Sequence, residues 1–305
     1  MQNDLIRLQN LLLEAKGLVE KLLVHNEIKS EIKSEIKSEI KSEIKPYVPN
    51  EPIDKSLFPT KKHELIDLLN SSKWPEAAPS FLICNDTEED KSERAEAILD
   101  YLNPDLTHKK FLDFGCGEGH VALVASEKSD IAVGYDVIAP LKSGNDKCIF
   151  TTNFEEVSSY GPYDVILLYD VLDHAKSPFE VLEQVKLLSK PNVKIYVRCH
   201  SWMSRHGGHL YKVLNKAWVH LFFSREEFAK IGIEMENLQE YYTPIDVQNK
   251  WFKSANLKVK SSDIIRTDVE KFFKKPILLN ILVKKFKKFP EWQMSQAFND
   301  YVLEL

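Results

Sequence analysis

The chain is predicted to be an α/β protein, a doubly wound and mostly parallel sheet with helices on both faces, preceded by a long N-terminal helix. Three observations carry that expectation. From residue 109 onward, short apolar runs alternate with amphipathic stretches, as successive strand–helix–strand units require. The first of these runs, Phe111–Phe114, ends in closely spaced glycines, as a strand does when it turns sharply into a helix. Residues 1–45 instead carry a helical pattern, with Leu5, Leu8, Leu12, Leu22 and Leu23 on an apolar side.

Taking the elements in order, the N-terminal helix contains a tetrapeptide repeat, Glu-Ile-Lys-Ser, from Glu27 to Lys45. Four residues turn a helix by ~400°, so each residue type forms its own slowly drifting stripe. The Ile stripe (Ile28, Ile32, Ile36, Ile40, Ile44) has Glu on one flank and Lys on the other. Two such helices packed in parallel through Ile set Glu against Lys; packed antiparallel, like faces like. The pattern therefore points to self-association through a parallel coiled coil, most simply a dimer. A solvated helix or a low-complexity tract stands beside that reading, because the i,i+4 pairs are Glu–Glu and Lys–Lys.

Pro46, Pro49 and Pro52 end this helix and begin a linker. A short helix is expected over 60–72 and another over 88–102. The latter puts Ala95, Ile98, Leu99 and Leu102 on one face, with Pro104 just beyond. Strands follow at Phe111–Phe114, Ile131–Tyr135, Cys148–Thr151, Asp164–Tyr169 and Val193–Arg198. Helices are expected at Val121–Ala125 and Phe179–Leu188, the latter opened by Pro178. A helix near Arg225–Lys230 and a strand at Ile277–Val283 come later. The seven lysines of 271–288 flank that strand and read as a solvated strand end, or as a contact for RNA or an anionic surface.

Composition excludes several classes. A net charge of −5 argues against a surface built wholly for nucleic acid. The cysteines Cys84, Cys116, Cys148 and Cys199 are widely spaced with no CxxC pair, poor material for a disulfide framework or thiolate zinc site. No apolar stretch reaches the ~18 residues of a membrane span, and no secretory signal pattern opens the chain. A cytoplasmic protein is expected.

The chemistry concentrates in four places. Asp113-Phe114-Gly115-Cys116-Gly117-Glu118-Gly119 places glycines where the backbone must approach a ligand and opens a helix whose first N–H groups are free. Asp136 ends the second strand, 21 residues after Gly115, where a carboxylate accepts both hydroxyls of a ribose. Asn153-Phe154 follows the third strand. The fourth strand runs into Asp170-Val171-Leu-Asp173-His174-Ala-Lys-Ser-Pro178.

Together these residues resemble the class I S-adenosylmethionine (SAM)-dependent methyltransferases, in their small-molecule-type branch. The likeness covers about 90–200 well and reaches more loosely to about 285. There His220–Phe228 resembles the family's entry into a late helix. Trp251–Val259 resembles the turn before its sixth strand, with Asn256 where glycine is expected. The resemblance implies a Rossmann-like, seven-stranded sheet and SAM as cofactor. It further implies that backbone at Gly115, Cys116 and Gly117 holds the methionine part, while Asp113 and Phe114 end the strand beneath it and Asp113 takes the ammonium group. Asp136 would bind the ribose, Val137 and Phe154 would sandwich the adenine with Asn153 at its edge, and Asp170 and Val171 would line the floor near the methyl group.

The stretch Arg198–Tyr211 follows the fifth strand on the ligand-binding side of such sheets. It holds His200, His206 and His209 within ten residues, with Arg198, Arg205 and a Gly207-Gly208 hinge; His174 joins them from the previous loop. These histidines are expected to act as bases or acceptor ligands, and the arginines to bind a phosphate or carboxylate of the acceptor. A metal reading stands beside this, with His206 and His209 completed by His200 or Asp173. Asp170-x-x-Asp173-His174 also resembles the metal site of small-RNA 3′-end 2′-O-methyltransferases, with Asp in place of Glu.

The organisation expected is a helical oligomerisation segment at 1–45, a linker with a short helix at 46–90, a methyltransferase domain at 91–290 and a C-terminal tail at 291–305. The function expected is methyl transfer to an O or N of a small-molecule or glycan-type acceptor. The alternatives are methylation of an RNA or nucleotide end, with metal assistance, and a non-catalytic oligomeric SAM-binding scaffold.

Overall fold

A computed structural model describes residues 76–77, 87–140, 142–221, 223–230, 232–235, 245–266 and 295–305. The chain divides into two units, Met1–Pro52 and Ile53–Leu305, and every described residue belongs to the second. The repeat helix, the helix expected over 60–72 and the strand expected at Ile277–Val283 lie outside the described residues, as do the flanking lysines.

The first helix, α1 (Glu88–Leu102), starts with a reciprocal cap. Thr87 Oγ1 accepts from the Asp90 amide, and the Asp90 carboxylate accepts from the Thr87 amide. It ends at Asn103 in left-handed conformation, and it buries Ala95, Ile98 and Leu99 as its pattern predicts. Next come β1 (Lys110–Phe114), α2 (His120–Lys128), β2 (Ile131–Tyr135) and β3 (Cys148–Thr151). Then follow α3 (Phe154–Tyr160), β4 (Tyr163–Tyr169), α4 (Pro178–Leu187) and β5 (Ser189–His200). After a 3₁₀ turn at Val219–Leu221 come α5 (Arg225–Ala229), α6 (Ile245–Ser254), β6 (Lys258–Arg266) and β7 (Gln296–Glu304). Asn256, where the resemblance expects glycine, takes the left-handed conformation (φ 56°) that glycine would supply.

The sheet has seven strands in the order β3-β2-β1-β4-β5-β7-β6. Its first five are mutually parallel, and β7 runs antiparallel to both neighbours. This is the doubly wound, Rossmann-like architecture expected. Successive side chains of β1 go to opposite faces. Leu112 and Phe114 join the layer formed with α3, α4 and α6, while Phe111 joins that formed with α1 and α2. Central strands covered on both faces have no reason to alternate in polarity, which is why Val165–Leu168 is apolar throughout.

One expectation is corrected. Within the tail expected at 291–305, Gln296–Glu304 instead inserts between β5 and β6 and completes the sheet. Its Gln296, Asn299 and Asp300 are buried among Ala297, Tyr301 and Leu303, so the strand carries no apolar alternation to read. No described helix is long and apolar enough to cross a membrane.

Strand order reverses between β1 and β4. Open α/β sheets bind their ligands at such a reversal, beyond the carboxyl ends of the strands. The loops leaving β1 and β4 carry the glycine run and Asp170.

Candidate active site

At the end of β1, the amides of Gly115 and Cys116 both donate to the Tyr135 carbonyl, at 2.7 and 3.0 Å, tying the turn to β2. Gly115 is left-handed (φ 83°), and a Cβ there would lie 2.5 Å from Val171 Cγ2. The first glycine is therefore required both by its backbone and by the residue after Asp170. Gly117 (φ 53°) differs, since a Cβ there would meet nothing within 4 Å. Its backbone faces open space, as a ligand-approaching glycine should.

Asp113 lies beneath this turn, 3% exposed. It accepts the Ala122 amide, but its Oδ2 has no hydrogen-bond partner. Burial, and next the charge of Asp136, push its carboxyl up to about 7. Asp136 Oδ2 accepts from the Gly117 amide at 2.8 Å and Oδ1 from the Ile138 amide at 3.1 Å. Val137 and Ile138 beside it are 82% and 75% exposed, an apolar shelf at the mouth of the crevice. An open cavity of about 790 Å³ lies on the same side, between the Ala139–Asp146 loop and β3, with Phe150 and Thr152 in its wall.

Other expected cofactor residues also make contacts within the fold. Phe114 is buried edge-on against Tyr135 at 4.9 Å, and Phe154 meets the other side of Tyr135 at 6.1 Å. Cys116 is buried, its thiol pushed up by that burial. Asn153 caps α3, its Oδ1 taking the Glu155 amide at 2.9 Å. A network absent from the sequence reading surrounds the glycine run. Lys91 donates to Glu118 at 2.7 Å, and Glu88 of α1 holds both Lys142 and His120.

The second half of the site forms after β4 and β5. Asp170 is a non-glycine residue at φ 57°, and its amide donates to the Arg198 carbonyl at 2.9 Å. Its Oδ1 stands 2.9 Å from His200 Nδ1, with Asp173 Oδ2 3.7 Å from the same nitrogen. Burial alone would raise the Asp170 carboxyl, but the charge and contact of His200, with His209 and Arg198, outweigh it and hold it below the usual carboxylate range. The His200 ring lies 4.5 Å from His209 and 5.2 Å from His206, and His209 lies 4.8 Å from His174. The four sequence-predicted histidines thus form one cluster, with Phe298 of β7 packed against His200 at 4.4 Å. Burial holds His206 well below the ordinary imidazole value, hence neutral. His220 packs edge-on against Trp202 at 4.8 Å. It is buried, pushed down to about 4, and its ring nitrogen lies 2.6 Å from the Trp202 carbonyl.

Arg198 does not serve the crevice as expected. Arg198 Nε and Nη2 both bond Asp300, at 2.6 and 2.5 Å, and Nη1 donates to the Tyr169 hydroxyl at 2.9 Å. The rings of Tyr101, Tyr169 and Phe298 lie within 4.8–5.1 Å of its guanidinium. Every nitrogen is engaged, so an acceptor-binding role for Arg198 is withdrawn. Arg205 is half-buried next to His206, its carbonyl taking the Trp218 amide.

A Rossmann-like sheet with this turn, ribose-level carboxylate and acidic strand end defines the class I SAM-dependent methyltransferases. A family model described as "Methyltransferase domain" matches residues 87–259, and the chain belongs to that family. SAM is its cofactor. The protein is 28% identical over 102 residues to a ubiquinone biosynthesis O-methyltransferase of Saccharophagus degradans, a match covering 30% of this chain and 43% of that protein. Among solved structures it is similar to a putative SAM-dependent methyltransferase of Listeria monocytogenes (15% identity, TM-score 0.47, covering 70% of this chain and 99% of that one). It is also similar to a plantazolicin methyltransferase in complex with a triazolic desmethylPZN analogue and S-adenosylhomocysteine (20% identity, TM-score 0.44, covering 72% and 86%).

The geometry fits the cofactor. A buried carboxylate with one oxygen unpartnered awaits a cation, and the cofactor carries an ammonium group. The backbone at Gly117 is open, and an apolar shelf stands beside a carboxylate at ribose position.

Proposed function

We propose that this protein transfers the methyl group of SAM to an oxygen or nitrogen of a small-molecule or glycan-type acceptor held by the histidine cluster. One observation carries the reading. Val171 touches Gly115 in the cofactor turn, while the preceding Asp170 faces His200 in the cluster. The two halves of the site therefore share a wall one residue thick.

Each residue has a role consistent with its position. Asp113 takes the ammonium group, and the backbone at Gly115 and Gly117 takes the methionine part. Asp136 takes the ribose hydroxyls with the lone pairs its two amide bonds leave over. Val137 covers the adenine from the exposed side, and Phe114, Cys116, Asn153 and Phe154 hold the strand ends behind it. SAM supplies an electrophilic methyl carbon, and its displacement leaves a neutral thioether. The chain's own task is then to place the acceptor in line and accept its proton. His206 and His209 are the bases placed for this, and His200 and His174 orient the acceptor. The curated relative, named as an O-methyltransferase, supports oxygen as the methylated atom.

Two measurements test this. Asp136→Ala should weaken S-adenosylhomocysteine binding by roughly tenfold or more in calorimetry, the worth of a charge-assisted hydrogen bond. Unchanged affinity would mean that the ribose lies elsewhere. Replacing His206 and His209 together with Gln should lower transfer from labelled SAM, across a panel of hydroxylated and aminated acceptors, by about 100-fold or more, while cofactor affinity holds. Retained turnover would reduce the stretch to packing.

A further inference from the structure

We infer that Asp173, His200 and His209 form a site for one divalent transition ion that receives the acceptor's oxygen. The consequence for the acceptor rests on the proposed function; the site itself stands on geometry.

One ligand atom from each of the three residues lies within 4.8 Å of the others. The Asp173 Oδ2–His200 Nδ1 spacing is 3.7 Å. Two ligands at ~2.1 Å from a tetrahedral ion stand about 3.4 Å apart, so this pair is nearly at coordination spacing and His209 needs only a small inward shift. The backbone brings these groups together at a cost. Asp170 and His209 both hold positive φ, at 57° and 53°, and strain in non-glycine residues collects where function over-determines the conformation.

Charge points the same way. Asp170 and Asp173, with side chains 17% and 6% exposed, both face His200. Neither Asp170 Oδ1 nor His200 Nδ1 finds an in-line hydrogen bond, although they lie 2.9 Å apart. A divalent ion among them balances both carboxylates. The nearby guanidinium of Arg198 is committed to Asp300.

The ligand types select the ion. Two imidazoles and one carboxylate form a borderline set that favours zinc, cobalt, iron or nickel over magnesium and calcium. Three protein ligands leave a coordination position open, as in catalytic rather than structural sites. His174, 3.8 Å from Asp173 Oδ2 and in ring contact with His209, stands behind the set as an orienting neighbour.

An ion here acidifies a bound hydroxyl and favours acceptors with a second oxygen beside it, which chelate. The transfer balances simply. With His209 on the ion, His206 is the base that remains: the acceptor O–H releases its proton to the His206 imidazole and then to solvent, its oxygen pair forms the O–CH₃ bond, and the C–S bond breaks with its pair remaining on sulfur. Hydroxyl and SAM become methyl ether, S-adenosylhomocysteine and a proton.

The test titrates Co²⁺ into chelator-stripped full-length protein, following visible d–d absorption and heat. The expected result is one Co²⁺ per chain, displaced by Zn²⁺ but not by Mg²⁺. His200→Ala and His209→Gln should each weaken it by more than about 100-fold, beyond the loss of an outer-shell contact. Both variants should still bind S-adenosylhomocysteine, which confirms their fold without replacing the buried Asp173. Exposed His108→Ala should change nothing. Absent stoichiometric binding, or binding indifferent to His209→Gln, overturns the site. Transfer persisting in chelator then leaves the proposed function standing. Co²⁺ bound as expected in a protein that binds no S-adenosylhomocysteine would sink the cofactor reading and leave the ion site intact.

Discussion

Asp113→Asn is expected to do two opposite things at pH 8: raise the melting temperature of the cofactor-free protein and weaken SAM binding by about 10- to 100-fold. Both follow from one buried carboxyl with an unpartnered oxygen, pushed up to about 7. Unfolded, the same group ionises near its ordinary value of about 4. Between those values the unfolded chain has released a proton that the folded chain retains. Stability from this group is therefore whole in acid, is lost as pH rises toward about 7, and stays lost above it. Asparagine keeps the shape and abolishes the titration. The ammonium of SAM reverses the balance, since it favours the ionised form. Wild-type affinity should thus rise as pH climbs through 7, with a proton released on binding, and Asp113→Asn should lose that dependence. Thermal unfolding across pH, with and without S-adenosylhomocysteine, reads every part. A cofactor-free variant that melts below wild type at pH 8, or one that binds SAM as tightly, would refute the assignment.

What was legible in the sequence was whatever is encoded locally. The glycine run, Asp136 and the parallel strands follow from short-range rules, since turn chemistry and apolar run length act within a few residues. The left-handed Asn256, at a position where glycine is expected, belongs to the same class. The gathering of His174, His200, His206 and His209 was legible too, because both loops leave adjacent parallel strands on the same side of the sheet. What failed is encoded between distant segments. β7 looked like a tail because a strand buried among polar partners shows no period. Arg198 looked like an anion receptor because its partner, Asp300, lies 102 residues away. Nor does any local rule reveal that the Phe114 ring packs edge-on against Tyr135.

The Arg198–Asp300 pair carries the second large expected effect. Two short bonds join guanidinium and carboxylate, the Tyr169 hydroxyl accepts a third, and three rings lie within cation–π reach. The Tyr101 hydroxyl of α1 donates to Asp300 at 3.0 Å, pushed up to about 12 chiefly by burial and then by that carboxylate. The pair therefore ties the helix before the cofactor turn to the antiparallel edge of the sheet. Breaking a buried pair from one side strands the other charge, and costs about 3–5 kcal/mol. Arg198→Ala and Asp300→Ala should each lose stability of that order in denaturant unfolding. Replacing both with Met and Leu should recover most of it, because no charge is then left buried alone. An arginine that binds the acceptor predicts the reverse. Arg198→Ala would then raise KM with little loss of stability, and the double replacement would rescue nothing. The cycle separates the two, since only an internal pair shows strong coupling between residues on neighbouring strands while SAM affinity stays level.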